Sequence, residues 1–227
     1  MEHCTIAVRD DWTTAIAYPA TDASATLILA HGAGAPQTHP FMTAFGRGLA
    51  ARGIETVTFN FLYTEQGRKA PDRAPRLETC YRAVVEAVRA RSTRRPLFIG
   101  GKSMGGRIAT HLAASPDPDD PDGTPAVEVA GVVALGYPLH PPGRPDTVRD
   151  AHLPRVAVPT LVVQGSRDAF GGEAELGPVL ARMPAATLHV VEGGDHSFNI
   201  RRKSAPPTQE IYDGVMDVIA DWIDRRG

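Results

Sequence analysis

The sequence contains little cysteine and almost no net charge. Cys4 and Cys80 are its only cysteines, too few for a disulfide framework and at no spacing typical of metal ligands. The formal net charge of −2 provides no general attraction for nucleic acid or anionic membranes. We therefore expect no nucleic-acid partner, no membrane partner, no metal and no organic cofactor.

Long hydrophobic runs are also missing, because no stretch is apolar over the length that a bilayer requires. Residues 1–4 lack the charged and apolar regions of a signal peptide, which predicts a cytoplasmic protein. A chain of 227 residues with 42% hydrophobic content can bury a core within one domain, predicted over residues 1–227. The oligomeric state stays open.

A glycine-rich turn, Gly101–Gly106, follows the apolar run Pro96–Gly100. Its G-x-S-x-G pattern predicts a nucleophile elbow, in which Ser103 has strained backbone between a strand and a helix. Gly101 and Gly105 would let the two elements approach closely. The pattern favours a serine nucleophile exposed above a sheet.

Two nucleotide-binding alternatives fail on spacing. A phosphate-binding P-loop needs a glycine five positions before Gly101, where the sequence has Pro96. A dinucleotide fingerprint that starts at Gly32 needs its third glycine at position 37, which is Gln37.

A serine nucleophile needs a base, and the base needs a carboxylate that orients it. Asp168 follows the buried strand predicted over residues 159–164, and His196 follows the next predicted strand. The order Ser, Asp, His is typical of the α/β-hydrolase arrangement. We predict Ser103 as nucleophile, His196 as base and Asp168 as orienting acid, with Asp195 and Glu173 as weaker alternatives for the acid.

An oxyanion hole is predicted from two backbone amides. The segment His31–Pro36 follows the first buried parallel strand, where this arrangement places one donor. We expect the amides of Ala33 and Met104 to donate, and we expect His31 to brace the turn rather than to act as a base.

Apolar and amphipathic segments alternate along the chain, which predicts an α/β fold with a mostly parallel, doubly wound sheet. Edge strands are expected between Cys4 and Tyr18, a loop around Gly67 and Pro71, and a strand from Val127 to Leu135. About two dozen residues separate that strand from the next one, near Thr160, which is too few for a lid domain.

Substrate contacts are predicted at the rim of this site. The candidates are in the segment Tyr137–His140 and opposite it, and packing in the core is the alternative interpretation for all of them. They are Tyr137, Pro138, Leu139, His140, Phe61 and Tyr63.

Four segments together resemble a known family: the strand followed by His31–Ala35, the stretch Gly101–Arg107, Tyr137–His140 and Gln164–Asp168. They are similar to small lidless α/β-hydrolases, including dienelactone-hydrolase-like proteins and the hydrolase-like domain of testis-expressed protein 30 and of a subunit of the chromatin-associated NSL complex. The resemblance implies the Ser103, Asp168 and His196 triad on a doubly wound sheet. Dienelactone hydrolases proper use cysteine as nucleophile, so Ser103 does not support carrying over lactone chemistry.

The leading hypothesis is therefore a serine hydrolase that acts on a small carboxylic ester or related acyl compound through an acyl-enzyme on Ser103. A non-catalytic binding or scaffold protein with the same fold is one alternative. An acyltransferase that uses the same three side chains is another.

Overall fold

A computed structural model of the chain describes residues 1–91, 95–119, 123–202 and 204–226. One eight-stranded sheet forms its centre, in the order β1-β2-β4-β3-β5-β6-β7-β8. The strands are β1 Glu2–Val8, β2 Asp11–Tyr18, β3 Ala25–Ala30, β4 Ile54–Phe59, β5 Leu97–Lys102, β6 Gly131–Leu135, β7 Thr160–Gly165 and β8 Ala186–Val191.

The sheet is parallel from β4 to β8, and only β1 and β2 run antiparallel to their neighbours. Strands β3, β6 and β7 are buried along their whole length, as expected when helices cover both faces. The predicted α/β class, the parallel sheet and the edge strands before Tyr18 are confirmed.

Among the described residues, six helices cover the sheet: α1 Pro40–Ala50, α2 Leu62–Glu65, α3 Ala74–Arg91, α4 Met104–Ala113, α5 Glu173–Leu180 and α6 Thr208–Asp224. Helices α1 and α6 contribute their apolar side chains to the core on one face. Helices α3, α4 and α5 contribute theirs to the core on the other face. The sheet is therefore doubly wound.

Two details differ from the sequence prediction. The turn after Phe61 forms the short helix α2, where no helix was predicted. Strand β6 begins at Gly131 rather than at Val127, because the Val127 amide donates to the Leu112 carbonyl of α4, at 2.8 Å, instead of joining the sheet.

Between β6 and β7 the chain forms only a short 3₁₀ helix, Leu153–Arg155, in addition to loops. Within the described ranges no lid domain covers the carboxyl ends of the strands, as predicted. None of the helices in the described ranges has both the length and the apolar character that crossing a membrane requires.

Candidate active site

Ser103 lies in the sharp turn between β5 and α4. Its φ angle is +52°, a left-handed conformation that is uncommon for a residue with a side chain. The Ser103 amide donates to the Leu135 carbonyl at 2.8 Å, which fixes the turn to the neighbouring strand β6. The strained turn predicted at this serine is confirmed.

Small residues make the turn sterically possible. A Cβ atom at Gly101 would lie 2.5 Å from the Ala30 carbonyl oxygen, and one at Gly105 would lie 2.4 Å from the same atom. Both distances are far below van der Waals contact. Helix α4 can therefore start directly against β3 only because these two positions carry no side chain.

The structure brings the three predicted side chains into one hydrogen-bonded chain. His196 Nδ1 lies 2.7 Å from Asp168 Oδ2, and His196 Nε2 lies 2.9 Å from Ser103 Oγ. Because the carboxylate can only accept, Nδ1 carries the proton and Nε2 accepts from the serine hydroxyl. This is the arrangement that a general base needs before a serine attacks.

The histidine reaches Ser103 by crossing two strand ends. His196 follows β8, whereas Ser103 follows β5, and strands β6 and β7 lie between them. A Cβ atom at Gly165 would lie 2.3 Å from the Gly194 carbonyl oxygen, and one at Gly136 would lie 2.8 Å from the His196 carbonyl oxygen. Glycines at the ends of β6 and β7 thus leave room for the loop.

Two donors besides His196 hold the Asp168 carboxylate. Gln164 Nε2 donates to Oδ2 at 2.8 Å, and the Phe170 amide donates to Oδ1 at 2.8 Å. Its side chain is fully buried, so these bonds replace the hydration that the carboxylate loses. The carboxylate therefore has a single defined orientation toward His196.

Two further side chains fix the position of His196. The Phe170 ring stacks on the imidazole, with 4.2 Å between ring centroids and an interplanar angle of 30°. Lys102 Nζ donates to the His196 carbonyl oxygen at 2.6 Å. Lys102 is only 8% exposed, and burial lowers the pKa of its ammonium group to about 8. Neither residue was predicted, since neither belongs to a position that the motif specifies.

The two predicted oxyanion donors lie at the cavity beside Ser103. Ala33 and Met104 both line it, and no hydrogen bond within the described residues uses either backbone amide. Gly32 brings the loop close, because a Cβ atom there would lie 3.5 Å from Ser103 Cβ. The amides are therefore available to a ligand oxygen.

His31 connects this loop to α2. Its Nδ1 lies 2.8 Å from the Gly32 carbonyl oxygen, and the Phe61 amide donates to its Nε2 at 3.1 Å. The residue is fully buried, and burial lowers the pKa of the imidazole to about 4. A neutral ring that accepts from Phe61 fits the bracing position predicted for His31.

A cavity of about 560 Å³ opens above Ser103. Its wall combines the reacting side chains with apolar and cationic ones. The lining residues are Gly32, Ala33, Ala35, His39, Phe41, Met42, Pro71, Asp72, Leu77, Lys102, Ser103, Met104, Arg107, Pro138, Arg149, Phe170, His196 and Ser197.

The predicted substrate contacts need correction. Of the segment Tyr137–His140, only Pro138 lines the cavity. The other five candidates are at most 6% exposed and lie behind its wall, because they pack in the core or hold neighbouring segments: Tyr137, Leu139, His140, Phe61 and Tyr63.

Two of these residues have clear structural contacts instead. The Tyr137 hydroxyl donates to the Arg149 carbonyl at 2.7 Å, and His140 Nε2 lies 3.0 Å from Glu175 Oε1. Apolar periodicity in the sequence identifies buried residues, but it does not distinguish those that face a cavity from those behind it.

Comparison with known proteins places the chain in a family. Residues 23–224 match the alpha/beta hydrolase domain family, so the chain belongs to it. A serine hydrolase without a lid from Xanthomonas campestris is 22% identical, with a TM-score of 0.72 over 97% of this chain and 94% of that one.

Two further solved structures have the same fold. A dienelactone hydrolase from Anabaena variabilis is 18% identical, with a TM-score of 0.73 over 99% of this chain and 97% of that chain. Est1E from Butyrivibrio proteoclasticus, bound to ferulic acid, is 13% identical, with a TM-score of 0.77 over 98% of both chains. At these identities the likeness establishes a lidless α/β-hydrolase fold.

Proposed function

We propose that this protein is a serine hydrolase that cleaves a carboxylic ester or related acyl compound through an acyl-enzyme on Ser103. The hydrogen-bonded chain from Asp168 through His196 to Ser103, at an open cavity, is the observation that supports this function most strongly. Membership of the alpha/beta hydrolase family agrees with it.

In the first half of the reaction, Ser103 Oγ attacks the acyl carbon while His196 Nε2 takes the hydroxyl proton. The amides of Ala33 and Met104 donate to the oxyanion that forms. Collapse of the tetrahedral intermediate breaks the bond to the leaving group, which receives the proton from His196. Asp168 stabilises the transient imidazolium.

In the second half, water attacks the acyl-enzyme and gives its proton to His196. The second tetrahedral intermediate collapses, the carboxylic acid leaves, and the proton returns to Ser103 Oγ. The reaction needs no further proton donor, because the same imidazole acts first as base and then as acid in each half.

Hydrolysis of short 4-nitrophenyl esters tests this function. We expect Ser103→Ala to lower kcat by about 10⁴-fold or more, because the nucleophile is lost while the cavity remains. Ser115→Ala, at an exposed position that does not line the cavity, is the matched control and should keep wild-type activity. Full activity in the Ser103→Ala protein would exclude the proposed mechanism.

A further inference from the structure

Two arginines on the cavity wall have no carboxylate partner in the part of the chain that the structure describes. Arg107 is on α4, one turn after Ser103, and Arg149 is in the segment between β6 and β7. Both are half-buried. Within the described residues, no carboxylate oxygen lies within the 4.0 Å ion-pair distance of either guanidinium.

Arg149 is held through its backbone. Its amide donates to the Leu139 carbonyl at 2.8 Å, and its own carbonyl accepts from the Tyr137 hydroxyl at 2.7 Å. Because Tyr137 is only 1% exposed, this anchor belongs to the core. The backbone of Arg149 is therefore fixed while its side chain lies at the cavity.

Arg107 is held by a histidine. Its Nη1 lies 3.4 Å from His111 Nε2, and His111 Nδ1 lies 2.9 Å from Glu78 Oε1. With the Nδ1 proton directed to the Glu78 carboxylate, Nε2 can accept from the guanidinium. One donor of Arg107 is thereby used, and the guanidinium has further donors for a ligand.

Neither guanidinium pairs with a carboxylate among the residues that line the cavity. Asp72 is the one carboxylate among the residues that line it, and it pairs with Arg68 Nη2 at 2.7 Å and with Arg76 Nε at 3.6 Å. Burial lowers the pKa of Arg107 and so does the neighbouring charge of Arg149, whereas Tyr137 and Glu78 act in the opposite direction. An anion between the two guanidinium groups would relieve this repulsion.

We propose that Arg107 and Arg149 bind a carboxylate group of the substrate, so that the preferred substrate is an ester with a free carboxylate. A guanidinium matches the planar carboxylate with parallel N–H donors. The rest of the substrate would contact the apolar part of the wall, which includes Phe41, Met42 and Phe170. This inference rests on the proposed hydrolysis at Ser103.

Two matched pairs of esters test the inference and locate the charge. Mono-4-nitrophenyl adipate against 4-nitrophenyl hexanoate places the carboxylate on the acyl side. Comparison of 4-acetoxybenzoate with 4-acetoxybenzamide places it on the leaving group. We expect the charged ester of one pair to have a kcat/KM about tenfold or more above its neutral partner, as charge-assisted hydrogen bonds predict.

The variants Arg107→Gln and Arg149→Gln should each lower kcat/KM for that charged ester by about tenfold or more. The same variants should lower kcat/KM for the neutral ester by a smaller factor, because that ester makes no ionic contact with the lost guanidinium. Arg144→Gln is the matched control, because Arg144 is exposed in the same segment and does not line the cavity. It should leave both rates unchanged.

Equal rates for charged and neutral esters, or a preference that both glutamine variants retain, would overturn the carboxylate site while hydrolysis at Ser103 stands. If the wild-type protein cleaves none of the four esters, the proposed function fails instead. Calorimetric titration with adipate then decides the site separately. Binding that both variants weaken supports it, and absence of binding to the wild-type protein overturns it.

Discussion

Gln164 shows how the site depends on a residue that does not line the cavity. Its amide nitrogen donates to Asp168 Oδ2 at 2.8 Å and to the Gly171 carbonyl at 2.8 Å, and its amide oxygen accepts from the Tyr137 amide at 2.7 Å. One fully buried side chain therefore connects the orienting carboxylate to the segments on both sides of it. Loss of one of these hydrogen bonds would leave a buried polar group without a partner, which destabilises the folded protein.

His31 predicts a dependence of stability on pH. Its pKa is about 4 in the folded protein and about 6.5 in the unfolded chain. The unfolded state therefore binds more protons between these values, so the free energy of unfolding falls as the pH is lowered from 6.5 to 4. The full loss from this residue is about 3 kcal/mol.

Urea unfolding of wild type and of His31→Gln at pH 7 and pH 4.5 checks this prediction. The variant should be less stable at pH 7, because the Phe61 amide loses its acceptor. Its further loss between the two pH values should be smaller than that of wild type by about 2 kcal/mol. His3→Gln, at an exposed position of β1, is the matched control and should follow wild type. Equal losses in wild type and His31→Gln would contradict the buried, neutral ring.

Residue-level prediction from the sequence worked where a motif fixes both type and spacing. The elbow and the chain order predict Ser103, Asp168 and His196 together, and the structure places His196 within hydrogen-bonding distance of both other side chains. Arg107 and Arg149 could not be found in this way, because they are 42 positions apart in the sequence and no local pattern indicates that both line one cavity. Their common environment results from the packing of a helix against a loop.

At the scale of elements, the loop that carries His196 passes close to Gly165 at the end of β7. We therefore expect the catalytic rate to be sensitive to a side chain at position 165. In Gly165→Ala the new Cβ atom would lie 2.4 Å from the Asp195 carbonyl oxygen, one residue before His196. The loop must move, and a displacement of about 1 Å at a reacting group can cost about 100-fold in rate. We expect kcat to fall by about 10- to 100-fold in ester hydrolysis.

Gly177→Ala is the matched control for this substitution. Gly177 is in α5, and no atom lies within 4 Å of the position that its Cβ would occupy. The control should keep wild-type kcat and gain up to about 1 kcal/mol of stability, because alanine favours a helix more than glycine does. Unchanged kcat in Gly165→Ala would mean that the loop tolerates the added methyl group.

Element boundaries were predicted less well than element types. Apolar runs predicted the strands before His31 and before Gly101, which are β3 and β5 in the structure. Periodicity missed α2, since four residues are too few to display a period. It also extended β6 to Val127, because an apolar residue bonded to a helix end has the same appearance in sequence as one in a strand.

At the scale of the whole molecule, the site lies at the carboxyl ends of the parallel strands. The loops after β5, β7 and β8 meet at the carboxyl ends of the strands, where ligands bind in open parallel sheets. The short connection between β6 and β7 leaves the cavity open and also contributes Arg149 to its wall. The alternation of strands and helices in the sequence predicts this architecture. The residues that line the cavity could not be predicted, because they come together only through the packing of distant segments.

Reaction of the intact protein with a fluorophosphonate, followed by mass spectrometry, tests the central claim most directly. If Ser103 is an activated nucleophile, we expect one phosphonyl group per chain, attached to the peptide that contains Ser103. The adduct should be absent from Ser103→Ala and form far more slowly in His196→Ala, because the hydroxyl then lacks its base. A folded wild-type protein that forms no adduct, or an adduct that persists in Ser103→Ala, would contradict a nucleophilic role for this serine.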